Sequence, residues 1–412
     1  MLSKEENQML TNIEGEAPMG KLLRQYWMPA CRSEALQADG DPLRVRLFGE
    51  NYVAFRATDG RVGIFDEGCP HRGTSLLLAR NEDCALTCIF HGWKFDVSGK
   101  TVMVPTERGE RHDAFCEKVP LKSYPVREAG TMVWVYLGEG EPPQFPMFEF
   151  NEIPESHILT HVGYTNVNWL QAVEGAIDSA HVGTLHASWL ERSNGRLDKT
   201  GQDLAPIYEI DPMPYGFKAG ALRELPSGKK YGRITEYVAP FFSFIPAPVG
   251  AFRVTVAAVP VDNEHTAQWF ITYNPWEPIS KEEIMEYNNF SSDTDLNDFY
   301  NPRGTFDNRW LQDRKLLKEG HWSGASYLIL EDFIAQESMG PIANRSKEFL
   351  GSSDAFIARV RRFLLRSVQD YLEGKPAFGR NADIDYRGIR SVAGDYSTLA
   401  DWRSLPKDFV RN

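Results

Sequence analysis

Two short segments of this 412-residue chain carry paired metal-binding side chains. Cys69-Pro70-His71 and Cys88-Ile89-Phe90-His91 each offer one thiolate and one imidazole, with sixteen residues between His71 and Cys88. Hairpin loops can present both pairs to one metal centre. Two chemistries fit such a set. Zinc takes two Cys and two His as a tetrahedron. A [2Fe–2S] cluster takes two Cys on one iron and two His on the other. The neighbours bear on the choice: His71 is followed by Arg72-Gly73 and His91 by Gly92-Trp93. A compact cluster close to backbone N–H groups needs glycine where the chain approaches the sulfurs. Cys31, Cys84 and Cys116 stand outside the pattern and read as core or surface thiols. Five cysteines, few and odd in number, do not make a disulfide framework.

A second constellation runs from Asn168 to His186. Gln171, Glu174, Asp178 and His181 follow at offsets of 3, 4 and 3, which on a helix is one face. Trp169, Val173, Ala176 and Ala180 form an adjacent apolar face. A buried Glu, Asp and His there need partners or a metal. His186 comes five residues after His181, and on a continuous helix the two side chains diverge by roughly 140°. They can share a metal only if the helix bends or ends between them, and Gly183 is placed for that. Two His plus one carboxylate form the facial triad of non-haem Fe(II) oxygenases, which leaves positions open for O2. The third ligand must come from elsewhere. Tyr327 to Glu337 is the candidate segment, with Asp332 between two apolar runs and Glu331 as the alternative carboxylate beside it.

Together these residues resemble a known family. C-P-H-R-G with C-x-x-H-G-W looks like the signature of Rieske-type [2Fe–2S] domains. With D-x-x-H-x₄-H downstream, the chain resembles the oxygenase (α) subunit of the Rieske non-haem iron oxygenases. NWLQAVEGAIDSAHVGTLH, Tyr215-Gly216-Phe217 and Glu331-Asp332 with Gln336-Glu337-Ser338 are most similar to the phthalate 4,5-dioxygenase-like group. The resemblance implies Cys69 and Cys88 on one cluster iron, and His71 and His91 on the other. It implies His181, His186 and Asp332 as ligands of a mononuclear Fe(II). It also implies Asp178 as the carboxylate joining a cluster His to a catalytic His across a subunit interface. Electrons would come from a separate NAD(P)H-dependent reductase, O2 would be the oxidant, and the assembly would be a homotrimer or stacked trimers. The implied reaction is ring hydroxylation of an aromatic carboxylate.

Cations in strands that should be apolar support an acidic substrate. Lys218 in YGFKAGALREL and Arg253 in VGAFRVTVAAVPV are two such residues. A buried cation needs an anion, and Arg meets a carboxylate with two hydrogen bonds. Arg233, opening a strand after SGKKYG, reads as solvated. Three other readings stay open: a monooxygenase or O-demethylase, an electron carrier with the cluster alone, and a zinc-binding interaction module.

The elements that must position these residues read as α+β. Leu43 to Leu47, Tyr52 to Ala57, Val62 to Phe65 and Thr131 to Leu137 are strands parted by Asn, Asp and Gly. Gly216 to Leu225, Arg233 to Phe244, Gly250 to Val261 and Thr266 to Tyr273 follow, and Ser353 to Glu373 is a helix. Strands in runs favour antiparallel sheets. The Gly138–Pro146 stretch divides an all-β Rieske domain, 1–150, from a catalytic domain, 151–412, whose sheet is flanked by helices. A net charge of −12 without a basic block excludes nucleic acid. The most apolar stretch, Val238 to Phe252, is too short and proline-rich to span a bilayer. The N-terminus lacks a signal-peptide core, so the expected location is the cytoplasm.

Overall fold

Short strands joined by tight turns build the Leu23–Phe145 unit, as the turn-forming punctuation requires. The computed structural model describes residues 1–119, 121–190, 197–289 and 304–406. The strands of this unit are β1 (Trp27–Arg32), β2 (Leu43–Leu47), β3 (Glu50–Arg56), β4 (Val62–Asp66), β5 (Arg80–Glu82), β6 (Ala85–Thr87), β7 (Lys94–Asp96), β8 (Thr101–Met103), β9 (Val126–Ala129) and β10 (Met132–Tyr136). They pair antiparallel in three sheets, β1-β10-β9, β2-β3-β4 and β5-β6-β7-β8. Val53, Phe55, Phe65, Leu86 and Phe95 share one core with Cys69, Cys88 and Trp93.

The second unit comprises Met1–Leu22 and Pro146–Asn412. Its strands are β11 (Ile158–Thr165), β12 (Ile207–Met213), β13 (Gly216–Glu224), β14 (Lys230–Val238), β15 (Phe242–Ile245), β16 (Arg253–Pro260), β17 (Thr266–Tyr273) and β18 (Val392–Asp395). Among the described residues they form one antiparallel sheet, ordered β11-β17-β16-β15-β14-β13-β12, with β18 on β14. The stretch Arg233–Phe244, expected as one strand, is two, because Pro240 has no N–H to continue the ladder. Side chains alternate between faces along each strand. His161 pairs with Phe270, Phe270 with Val256 and Thr272 with Val254, so these residues share one face. The helix Leu328–Glu337 packs on that face, with Ile329, Leu330 and Phe333 against Val256 and Phe270.

The first 22 residues join this unit, whereas the expected division at residue 150 grouped them with the strands that follow. Their bonds explain it. Asn168 Nδ2 donates to Thr11 O (2.9 Å), Trp169 Nε1 to Leu10 O (3.1 Å) and Asn7 Nδ2 to Ala343 O (3.0 Å). The break between units falls at Phe145/Pro146. Among the described residues no helix is long and apolar enough to cross a membrane.

Glu174 anchors the helix Trp169–Ile177 to the rest of the unit. Its carboxylate accepts from Arg345 Nη2 (2.9 Å) and Arg361 Nε (2.6 Å), and all three side chains are nearly or wholly buried. Burial pushes the Glu174 carboxyl up, but the two guanidinium groups overcome it and hold it below its ordinary 4.5. Such a group stabilises the fold fully above the unfolded pKa and loses that effect as pH falls through the folded one. Glu174→Ala strands buried guanidinium charge and is expected to cost about 3–5 kcal/mol at neutral pH in chemical denaturation. The deficit of Glu174→Gln should shrink as the pH is lowered below about 4.5.

Candidate metal centres

The helix Trp169–Ile177, capped by Asn168, stops at Asp178 (φ −76°, ψ 119°). A four-residue helix, Val182–Leu185, follows between His181 and His186. The expected helical face from Gln171 to His181 is therefore broken. Gln171 accepts from Ala343 N (2.8 Å) and Glu174 takes its arginines, while Asp178 and His181 turn elsewhere. Ser179 explains the break. Its N–H donates to Tyr208 Oη (2.9 Å) and its carbonyl accepts from Arg223 Nη2 (2.7 Å), so the peptide after Asp178 is drawn out of the helix. Gly183 is not the breaking point. It lies inside the short helix, where a Cβ would stand 2.5 Å from Thr200 O.

This path turns both rings to one point, with centroids 5.2 Å apart. Asp332 meets them from the helix Leu328–Glu337, well inside its N-cap Tyr327. His181 Nε2 lies 3.4 Å from Asp332 Oδ1, and His186 Nε2 3.5 Å from Asp332 Oδ2. One ligand atom from each of the three residues lies within 4.8 Å of the other two. The other ring nitrogens face outer carboxylates. His181 Nδ1 is 3.3 Å from Asp178 Oδ2, and His186 Nδ1 is 2.7 Å from Glu331 Oε2.

The charge of the site calls for a cation. Burial opposes charge on His181, yet the Asp178 and Asp332 carboxylates overcome it and push it up to about 10. Burial likewise opposes charge on Asp178 and Asp332, and the histidines hold both below the ordinary 3.8. A divalent ion between these groups would serve the Asp332 carboxylate and both ring Nε2 atoms.

The triad opens into a cavity of about 140 Å³, walled by Val254, Val256, Phe270, Leu328 and Ile329 among others. Arg233 lines it too, and is the sole Lys or Arg among the described lining residues. The expected substrate cations lie off its wall. On β16 the cavity takes Val254 and Val256, so the pleat turns Arg253 to the opposite face. There it pairs with Glu149 and sits 5.0 Å over Trp276. Lys218 is opposite Glu236, on the other face from Arg233, and lies 5.3 Å over Trp402. Arg233, expected in solvent, is 2% exposed, and its Nε donates to Ser179 Oγ (3.2 Å). The missed signal was its alternation in step with Thr235.

In the other unit two loops of matching geometry carry the Cys and His pairs. Cys69 N donates to Thr74 O and Gly73 N to Cys69 O, both at 2.8 Å. Cys88 N donates to Trp93 O (2.8 Å) and Gly92 N to Cys88 O (2.9 Å) in the same way. Gly73 and Gly92 have φ of 76° and 73°, the left-handed conformation that closes each loop. Both thiols are buried, and burial pushes Cys69 up to about 11, with the neighbouring Cys88 adding to it. His71 Nδ1 and His91 Nδ1 converge to 3.1 Å, and His71 stacks on Trp93 at 4.4 Å. Cys84 is not in either loop.

Residues 26–125 match the Rieske [2Fe-2S] domain family, and residues 135–412 match the family described as LigXa C-terminal domain like. The phthalate 4,5-dioxygenase oxygenase subunit of Pseudomonas putida is 37% identical over 428 aligned residues, covering 100% of this chain and 96% of the relative. The chain belongs to the Rieske non-haem iron oxygenases. The 3-chlorobenzoate-3,4-dioxygenase oxygenase subunit of Comamonas testosteroni is 34% identical, over 90% of this oxygenase and 89% of the relative. A variant of NdmA from Pseudomonas putida CBB5, solved with theobromine, shares the fold, with a TM-score of 0.62 at 17% identity, over 89% of this chain and 99% of that one.

Membership decides between zinc and iron for the Cys and His loops: the oxygenase uses a [2Fe–2S] cluster and a mononuclear iron. The residues present fit both. Two buried thiols with converging imidazole Nδ1 atoms suit the mixed-ligand cluster. Two imidazole Nε2 atoms and a carboxylate suit the iron. Iron content should separate the sites. Asp332→Ala is expected to lose one iron of three per chain while keeping the Rieske EPR signal of the reduced cluster. Cys69→Ser should lose that signal and Cys84→Ser should keep it.

Proposed function

We propose that this oxygenase is a ring-hydroxylating dioxygenase of an aromatic carboxylate, supplied with electrons by a separate NAD(P)H-dependent reductase in the cytoplasm. Arg233 is the observation that carries the reading. The cavity is mostly apolar and about 140 Å³, near the roughly 150 Å³ of an engineered cavity that takes benzene. Arg233 adds one guanidinium to that ring-sized space, and Arg223 holds Ser179 beside it. Burial, with the Arg233 charge nearby, lowers Arg223 from 12.5 to about 10. A guanidinium on the wall of a ring-sized cavity suits an acid, because a carboxylate meets a guanidinium with two hydrogen bonds. The two named relatives support the reading, since phthalate and 3-chlorobenzoate are both aromatic carboxylates.

In this reading Cys69 and Cys88 would hold one cluster iron and His71 and His91 the other. His181, His186 and Asp332 would hold the mononuclear iron. The cluster, when bound, passes electrons singly, and the mononuclear iron supplies the O2 chemistry. Arg233 orients the acid so that its ring faces the triad, and the apolar walls keep water from it. Both oxygen atoms of O2 enter the product, balanced by two electrons and two protons.

Asp178 is the proposed link between centres. One oxygen faces His181 Nδ1 and the other accepts from Ala180 N (2.7 Å). Its side chain keeps 21% of its exposure, which leaves it reachable by an imidazole N–H of a neighbouring subunit. Head-to-tail contacts of that kind close into rings, here a homotrimer or stacked trimers.

Two measurements test these roles. Arg233→Met is expected to raise KM for an aromatic acid about 30-fold or more, the equivalent of at least about 2 kcal/mol, with a smaller change in kcat. Native enzyme should turn over the corresponding amide poorly, and equal turnover of acid and amide would remove the carboxylate from the reading. Mass analysis of the aromatic product under ¹⁸O2 should find two labelled oxygens; one would make the enzyme a monooxygenase, and none, with label in released formaldehyde, an O-demethylase. Asp178→Asn should load both metal centres but slow reoxidation of the pre-reduced cluster by orders of magnitude in stopped flow with O2 and substrate. A native rate would exclude the link.

A further inference from the structure

Glu331 and Asp332 are consecutive, yet they face the two nitrogens of the same ring, His186. We propose that Glu331 is a positioning residue of the iron site: its carboxylate keeps the His186 proton on Nδ1 and so fixes the Nε2 lone pair toward the metal. The inference rests on the reading of His181, His186 and Asp332 as the iron ligands.

The contact has the geometry of a hydrogen bond. Glu331 Oε2 stands 2.7 Å from His186 Nδ1, while the other His–carboxylate contacts of the site measure 3.3, 3.4 and 3.5 Å. The side chains are 7% and 0% exposed, so the pair is largely shielded from bulk water. Glu331 is held in turn. Ser323 Oγ donates to its Oε1, and the same Oγ accepts from Ala325 N (3.1 Å). A relay thus runs from the backbone through Ser323 and Glu331 to the ring. Neutral imidazole carries one N–H, and a carboxylate acceptor at Nδ1 selects the tautomer whose Nε2 is bare. Consecutive helical residues point about 100° apart, which lets one turn reach both edges of an imidazole. Both Glu331 oxygens are engaged at Nδ1 and at Ser323, so Glu331 serves the ring and leaves the metal to Asp332. The His181 ring has a looser counterpart in Asp178, at 3.3 Å and 21% exposed. The two histidines therefore differ: one is locked inside the fold and the other is open to an outside partner.

The test is Fe(II) binding to protein stripped of its mononuclear iron, read by competition with a chelator. Glu331→Ala is expected to bind about 10- to 100-fold more weakly, with the cluster EPR signal unchanged. Glu331→Gln keeps an acceptor for Nδ1–H and should bind close to the native protein. Asp332→Ala should not retain the ion. In protein carrying Co(II) at this site, NMR should show one shifted, exchangeable N–H for each ligand imidazole, and Glu331→Ala should lose the slowly exchanging one. Native affinity in Glu331→Ala, with Asp332→Ala metal-free, would overturn this inference and leave the ligand reading intact. Native affinity in Asp332→Ala would overturn the ligand reading itself. A Gln variant as weak as the Ala variant would overturn the tautomer argument, since charge alone would then be acting.

Discussion

Asp178, Glu331 and Asp332 set three carboxylates around two imidazoles, with side chains between fully buried and a quarter exposed. Like charges a few ångström apart repel by about 4 kcal/mol at an effective dielectric constant near 20. A cation at the centre converts that repulsion into attraction, and each ring nitrogen then has a fixed task. The rest of the C-terminal unit serves this balance. The helix carrying Asp332 is seated on the sheet by Phe333 and Phe270, and the segment carrying the histidines is drawn into place by the bonds of Ser179. Those bonds also bring Arg233 against the residue next to Asp178.

Much of this was legible in the sequence because it is local. The two Cys and His loops lie within a few residues of their own glycines, and loop closure needs only those residues. The D-x-x-H-x₄-H spacing likewise marks His181 and His186, which the structure brings together with Asp332. Strand positions followed from runs of apolar residues and turn punctuation, and Thr266–Tyr273 has the bounds expected of it. The helix break was not legible at Asp178, because the groups that cause it, Tyr208 and Arg223, come from β12 and β13.

Arg233 was hidden for a similar reason. It follows a Lys-rich turn and looks like a strand entrance, but β18 pairs beside it, Arg233 opposite Ala393, some 160 residues later in the chain. A distant strand thus buries what a near neighbour would expose. Arg253 shows the converse. Its burial was foreseen, and its face was not, because a pleat has two sides and an isolated cation does not declare which one meets the cavity.

The helix Leu328–Glu337 supplies cavity wall and metal site together: Leu328 and Ile329 line the space, and Glu331 and Asp332 follow within a turn. Substrate range and metal retention are therefore mechanically joined along this helix. A wider ring accommodated by trimming Leu328 or Ile329 would loosen the seat of the carboxylates as well. Val254 and Val256 on β16 and Thr272 on β17 carry no such burden, since they line the same space from the sheet. Divergence toward new substrates has an unencumbered route through the sheet wall, whereas changes in the helical wall reach the metal-binding carboxylates as well.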